Sequence, residues 1–210
     1  MKKFFIKNIK ETNCQVEDWE IAHLTRVLRM QKGDRFLGLA CDEFEYECEI
    51  VNMSKNSVDA RILQKSLSGK NPKQLLTVFQ GVLKGEKNEL VIQKLSELGA
   101  SSLVFFQSEN TVSNLKKESK IERLKKIALE SCKQCGRSMP LEINHVVSLG
   151  QIDFSLFDLV LFLYENAPSE NTLFNLLDKI ISAKKVAIII GAEGGFSEKE
   201  NSTQTMLRII

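Results

Sequence analysis

Histidine is scarce in this 210-residue chain: His23 and His145 are the only two. They fall in different predicted domains and neither has a second ligand at metal spacing. Ser-His-Asp catalysis and a histidine-built metal site therefore find no support, and no metal is expected. No GxGxxG fingerprint and no GxxxxGK[ST] loop occurs, which removes the usual dinucleotide and triphosphate readings. No apolar run approaches membrane-spanning length, and Phe4-Phe5-Ile6 is too short for the apolar region of a signal peptide. Five cysteines is an odd number, and reduced thiols in the cytoplasm are the expectation. Cys132-Lys133-Gln134-Cys135 has CxxC spacing, but it lies inside a predicted helix with no second pair, which argues against zinc or redox chemistry. A net charge of +2 names no partner. There is no internal repeat and no low-complexity tract.

The most informative stretch runs from Ile188 to Ser197. An apolar run, Val186 to Ile190, of strand length and branching, ends in Gly191-Ala192-Glu193-Gly194-Gly195, three glycines in five residues. Ser197 then opens Ser-Glu-Lys-Glu, a capping box with Ser197 at the N-cap and Glu200 at N3. Strand, glycine loop and helix start form a ligand cradle at the carboxyl end of an open α/β sheet. An ordinary strand-to-helix turn has the same outline. Glycine allows close approach of the main chain and positive φ.

Residues 1–70 read as a small β-barrel. Lys2 to Ile6, Arg35 to Leu39 and Val58 to Leu63 are short strands. Phe44, Tyr46, Cys48 and Ile50 alternate with Glu45, Glu47 and Glu49, the period of a half-buried strand. One helical piece, Glu20 to Met30, has Ile21, Leu24 and Leu28 on one face. Ser66 to Pro72 is the candidate linker. Residues 71–210 alternate strand and helix. Strands are predicted at Leu75–Val82, Ser102–Phe106, Leu159–Tyr164 and Val186–Ile190. Helices are predicted at Asn88–Leu98, closed by Gly99, at Lys120–Cys135, with Ile121, Leu124, Ala128 and Cys132 inward, and at Thr172–Ile181. Continuous apolar strands separated by helices imply a parallel sheet covered on both faces.

Several polar groups each carry two readings. His23, Arg26 and Arg29 are spaced three apart on a helical face, which suits phosphate contacts with nucleic acid or a solvated face. Between Lys116 and Arg137 there are eight basic residues against three acids, again suited to phosphates or to solvent. Lys84-Gly85-Glu86-Lys87 borders the same carboxyl-end crevice as the glycine loop; a lysine there suits a phosphate or a substrate base, and the segment equally suits a plain helix-start loop. Glu165, in Tyr164-Glu165-Asn166, suits a nucleoside hydroxyl pair or the first turn of the succeeding segment. Glu130, Gln134 and Arg137 form a polar stripe on one helical face.

Taken in order, these segments resemble the bacterial ribosomal RNA uridine-N3 methyltransferases of the small subunit, members of the SPOUT class. The matching stretches are His23-Leu24…Val27-Leu28-Arg29…Gly33-Asp34, Gln80-Gly81-Val82-Leu83-Lys84-Gly85 and Gln93-Lys94…Glu97-Leu98-Gly99. They continue with Glu130…Gln134…Arg137…Pro140, Leu163-Tyr164-Glu165, and Ile190-Gly191-Ala192-Glu193-Gly194-Gly195-Phe196. The resemblance implies a PUA-like β-barrel followed by a knotted SPOUT-type α/β methyltransferase domain. It also implies a homodimer, S-adenosylmethionine as donor, and methyl transfer to N3 of a uridine in 16S ribosomal RNA, free or in the small ribosomal subunit. Donor contacts are expected from Leu163, Tyr164 and Glu165 and from Gly191, Glu193, Gly194 and Gly195. RNA contacts are expected from His23, Arg26 and Arg29. Arg137 is the candidate for orienting the uracil or its phosphate, and Lys84 for a nearby contact.

The chain departs from the family after the glycine loop. Family members continue through a helix, a further strand and a Leu-Gly…Ile-Leu-Arg-Thr-Glu-Thr-Ala segment that forms the knot. Here Asn201 to Ile210 shows no apolar stripe of helical period, and Met206-Leu207-Arg208 is the one short echo of that segment. Ala192 stands where the family has proline, and Asn110-Thr111-Val112 where it has an arginine before Ser/Thr-Val. The expectation is a truncated homologue with a bared sheet edge and weakened or lost cofactor affinity, since a domain is stable by only about 5–15 kcal/mol. There are two alternatives: a non-catalytic RNA-binding protein, and a different nucleotide-binding α/β enzyme, against which the missing phosphate-loop lysine and serine argue.

Overall fold

The alternation around Tyr46 becomes the middle of a strand, Phe44–Met53, whose Tyr46, Cys48 and Ile50 are buried and whose glutamates are half-buried. The structure, a computed structural model, describes residues 1–108, 115, 118–164, 167, 172–197 and 207–209. The chain divides into two units, Met1–Asn71 with Cys132–Pro140, and Pro72–Ser131 with Leu141–Ile210. The division drawn from the linker gave Cys132–Pro140 to the second unit; the structure groups it with the first.

In the first unit, β1 (Lys3–Lys10), β2 (Asn13–Val16), β3 (Arg35–Leu39), β4 (Phe44–Met53) and β5 (Val58–Leu67) close into a barrel in the order β1-β2-β5-β4-β3. Parallel pairing of β1 with β3 completes the ring and leaves no free edge. Phe4, Leu24, Phe36, Ile50 and Val58 fill it. The predicted helix is broken in two: α1 (Asp18–Ala22) runs into a π-helical turn, His23–Val27, with Leu28 N donating to His23 O at 3.0 Å. Glu20, 2% exposed, needs a partner for its buried charge. Lys133 donates to both of its carboxylate oxygens at 2.8 Å, and Phe5 N adds a bond at 3.3 Å. Ser138 Oγ donates to Asp42 O at 2.6 Å and accepts from Asn71 Nδ2 at 2.8 Å. These bonds bind Cys132–Pro140 to the barrel.

The second unit is a parallel sheet. Its strands are β6 (Leu75–Gly81), β7 (Ser102–Phe106), β8 (Glu142–Val147), β9 (Leu159–Leu163), β10 (Lys185–Ile190) and β11 (Leu207–Ile209), in the order β11-β9-β10-β6-β7-β8. Its helices are α2 (Lys87–Leu98), the larger part of α3 (Glu118–Cys135) and α4 (Leu177–Ser182). Ile121, Leu124, Ala128 and Cys132 are buried along α3, as their period requires. Gly99, at φ +92°, closes α2. The helix predicted from Thr172 starts later, as a 3-10 turn at Phe174–Leu176 leading into α4. From β6 the chain moves outward to β7 and β8, then crosses to place β9, β10 and β11 on the other side. The carboxyl ends of β6 and β10 therefore flank the point where strand order reverses, where open α/β sheets bind ligands.

The sheet edge expected to be bare is occupied: β11 pairs with β9 in parallel, Leu207 beside Leu161 and Ile209 beside Leu163. Main-chain pairing of three residues requires no helical stripe, so the sequence pattern did not announce it. The helix expected after Ser197, its cap partner Glu200, the chain path needed for a knot, Asn110-Thr111-Val112 and Glu165 all lie outside the described residues.

Candidate functional site

Two loops meet at the carboxyl ends of β6 and β10, residues 82–86 and 191–197. Gly81 ends β6 directly beneath the glycine loop: a Cβ there would stand 2.5 Å from Ala192 N and 3.0 Å from Gly191 C. A residue without a side chain is what permits that approach. Gln80, buried, donates its side-chain amide to Gly191 O at 3.0 Å and to Gly81 O at 3.0 Å. Gly195, at φ +67°, donates its N–H to Ala192 O at 3.0 Å and closes a tight turn with Glu193 and Gly194 exposed at its tip.

The tip reaches the other loop. Glu193 Oε1 accepts from Lys87 Nζ at 2.9 Å and from Lys84 N at 3.2 Å. The Lys87 ammonium first, and the Lys84 amide second, hold the Glu193 carboxyl below the usual carboxylate range. Behind Lys84, buried Asn88 accepts from Leu83 N at 3.0 Å and donates to Leu83 O at 2.8 Å. Lys84 itself is exposed. Phe196 turns back under the glycine loop, its ring centroid 4.3 Å from that of Phe162 and 6.2 Å from that of Phe106. A Cβ on Gly191 would lie 3.0 Å from the Phe196 ring, whereas one on Gly195 would meet nothing within 4 Å. The inner bend at Gly191 is thus packed by protein, and the open side lies toward Gly195, next to exposed Gly194. Leu163 and Tyr164 end the neighbouring strand; Leu163 is 37% exposed and Tyr164 packs on Phe162.

A cavity of about 250 Å³ opens beside residues 82–86, lined by Gly85, Asn88, Glu89, Leu115, Arg123 and Leu124 among others. Another, of about 560 Å³, is lined by residues from Ile152 to Val160, at the start of β9 and so at the opposite end of the sheet from the glycine loop. Among the described residues no group of three or more His, Cys, Asp and Glu side chains is arranged to hold a metal, and all five cysteines are free thiols. Burial pushes Cys132 of the CxxC pair up to about 12. Among the described residues no helix is long and apolar enough to cross a membrane.

The model of an RNA methyltransferase domain matches residues 70–207, and that of an RNA methyltransferase PUA domain matches residues 16–63. The chain belongs to the RNA methyltransferase family. Ribosomal RNA small subunit methyltransferase E of Bacillus subtilis is 29% identical over 95% of this chain and 83% of its own length. The enzyme of the same name from Helicobacter pylori strain 26695 is 31% identical over 91% and 81%. A Legionella pneumophila protein solved with the bound cofactor SAM superposes with a TM-score of 0.84 at 25% identity, over 99% of this chain and 87% of that one. The PUA-like barrel and the SPOUT-type α/β domain are therefore the fold that the sequence led one to expect.

In this RNA methyltransferase the remaining predicted residues fare differently. Lys84, Gly191, Glu193, Gly194 and Gly195 come together, with Leu163 and Tyr164 on the adjoining strand. His23, Arg26 and Arg29 are all exposed, but not as one α-helical row: the π-helical turn widens their spacing, and Arg29 leaves the helix at φ +52°. Arg137 is not on the stripe with Glu130 and Gln134. Gly136, at φ +83°, ends α3, and Arg137 turns inward, 5% exposed within the first unit, while Glu130 and Gln134 stay exposed. Gln80, Asn88 and Phe196 were given no role in the site, and Lys87 was expected only to border the crevice. The available signal was a lone amide, Gln80, between an apolar strand and Gly81.

Proposed function

We propose that this chain transfers the methyl group of S-adenosylmethionine to N3 of a uridine in 16S ribosomal RNA, in the cytoplasm and as a homodimer. One observation carries the reading: at the reversal of strand order, Gly81, Gln80 and the glycine loop form a frame of main chain with its open side at Gly194 and Gly195. The open space beside Gly195 lets a nucleoside approach the main chain closely. Gly194 and Gly195, with Leu163 and Tyr164, are the residues that would hold the donor; Glu165 joins them on the resemblance alone. β11 beside β9 covers the sheet edge that was expected to be bare, while the knot-forming segment implied by the resemblance lies outside the described residues. Relatives named for small-subunit ribosomal RNA, and a similar structure holding SAM, support the same substrate and donor.

When bound, S-adenosylmethionine supplies an electrophilic methyl on its sulfonium. This chain's residues have three tasks. They must fix the uracil nitrogen in line with that methyl, which is worth about 7–11 kcal/mol. They must exclude water from the crevice. They must also stabilise the charge that develops on the uracil as N3 releases its proton to solvent at the crevice edge. Lys84, exposed at the crevice edge, suits the last task through a uracil oxygen or an adjoining phosphate. Arg137, 5% exposed, would have to turn outward to orient the uracil or its phosphate, while His23, Arg26 and Arg29, all exposed, keep their proposed part in contacting RNA. The target uridine must be unstacked to present N3, which favours a single-stranded or loosened segment. Phe174, Leu177 and Ile181, exposed and three to four residues apart, support a second copy as partner; sedimentation equilibrium reads the dimer.

The test is incubation with methyl-labelled S-adenosylmethionine and small subunits from a strain lacking this modification, followed by digestion and mass spectrometry. A single 3-methyluridine in 16S RNA is expected. RNA retention without any transfer identifies a binding protein and overturns the proposal.

A further inference from the structure

Glu193 was expected to touch the donor, yet its carboxylate is already engaged across the crevice. We infer that Glu193 is a positioning residue, a strut that fixes the separation of the loop after β6 from the glycine loop and so sets the width of the donor crevice. That the crevice holds a donor rests on the proposed function; the strut itself does not.

The two loops are joined at two levels. At the inner level, Gln80 holds Gly191 O and Gly81 lies against Ala192. At the outer level, Lys84 N and Lys87 Nζ both donate to Glu193 Oε1. On the β6 side, Asn88 brackets Leu83 through both N and O and so fixes the position of the Lys84 amide. On the β10 side, the turn from Ala192 to Gly195 carries Glu193 at its tip, on glycine-rich chain that resists bending least. The side chains of Glu193 and Lys87 are 35% and 62% exposed. An exposed ion pair contributes little to global stability, so losing it should loosen the turn while leaving the fold intact.

Charge reversal separates a strut from a donor contact. Donor affinity is measured by calorimetry for the wild type, Glu193→Lys, Lys87→Glu and the double variant Lys87→Glu/Glu193→Lys. Each single reversal is expected to weaken binding about tenfold, and the double variant to regain about threefold of that loss, because the reversed pair restores the ion pair across the gap while a lysine at position 193 cannot accept from Lys84 N. A double variant as weak as Glu193→Lys overturns the inference, since a direct contact with the donor would not return. A second arm needs no donor: amide hydrogen exchange at Lys84 in the wild type and Glu193→Ala. The expected result is about tenfold faster exchange in the variant, with a thermal midpoint within about 2 °C of the wild type. Unchanged exchange overturns the strut. Absence of donor binding by the wild type counts against the proposed function alone, and the exchange arm then decides the inference.

Discussion

Gly81→Ala is the sharpest perturbation of the site. The added carbon would lie 2.5 Å from Ala192 N, 3.0 Å from Gly191 C and 3.1 Å from Ala192 Cα, all main-chain atoms that no side-chain rotation can clear. The glycine loop must therefore move away from β6. Overpacking of this kind costs about 1–3 kcal/mol, and weakening the Gln80 bond to Gly191 O adds about 1 kcal/mol. At about 2–4 °C per kcal/mol for a chain of this size, the thermal midpoint should fall by about 4–16 °C. Donor affinity should fall at least tenfold, because the displaced atoms form the floor of the crevice. Gly150→Ala is the control: a Cβ there meets nothing within 4 Å, and a change within about 0.5 kcal/mol is expected. Scanning calorimetry gives the stability and titration the affinity. If Gly81→Ala matches Gly150→Ala in both, the close approach on which the site is built is not real.

Three other perturbations have defined outcomes. Lys133→Met strips the buried Glu20 carboxylate of its cation, and a loss of about 3–5 kcal/mol is expected in denaturant unfolding; a smaller loss in Glu20→Gln/Lys133→Met than in Lys133→Met would show that the stranded charge is responsible. Burial, and then the bond to Asp42 at 2.7 Å, push the Tyr46 phenol up to about 12. The neutral phenol is the form favoured by folding, so its contribution is intact below about pH 10 and is lost as pH rises toward 12; the thermal midpoint of the wild type should fall across that window more steeply than that of Tyr46→Phe. Phe196→Ala should cost about 2–3 kcal/mol, below the 3–5 of a fully buried phenylalanine because the ring is half-buried, and should raise exchange at the Gly191 and Gly195 amides.

Much of this architecture was legible because burial leaves a period. Tyr46, Cys48 and Ile50 at intervals of two, and Ile121, Leu124, Ala128 and Cys132 at intervals of three and four, can be read without coordinates. The unbroken apolar runs of β9 and β10 announced a sheet covered on both faces, and Gly191 to Gly195 announced the loop at its carboxyl end. What escaped notice depends on main chain or on distant partners. β11 is three residues of backbone pairing, and Gly81 matters through Ala192, more than a hundred positions away in sequence. Gln80 matters through the carbonyl of Gly191. Arg137 looked like part of a helical stripe because the left-handed break at Gly136 has no effect on residue spacing. Glu193 looked like a ligand contact because its partners, the Lys84 amide and the Lys87 ammonium, belong to another loop.

The central claim is that the open side of the glycine loop, at the carboxyl ends of β6 and β10, receives the methyl donor. Titration of the protein with S-adenosylmethionine, followed residue by residue through its amide resonances, tests this most directly. The account predicts saturable binding of one donor per chain, with the shifts concentrated at Leu163, Gly194 and Gly195. Shifts confined to Phe154, Phe157 and their neighbours at the opposite end of the sheet, or no saturable binding, would contradict it.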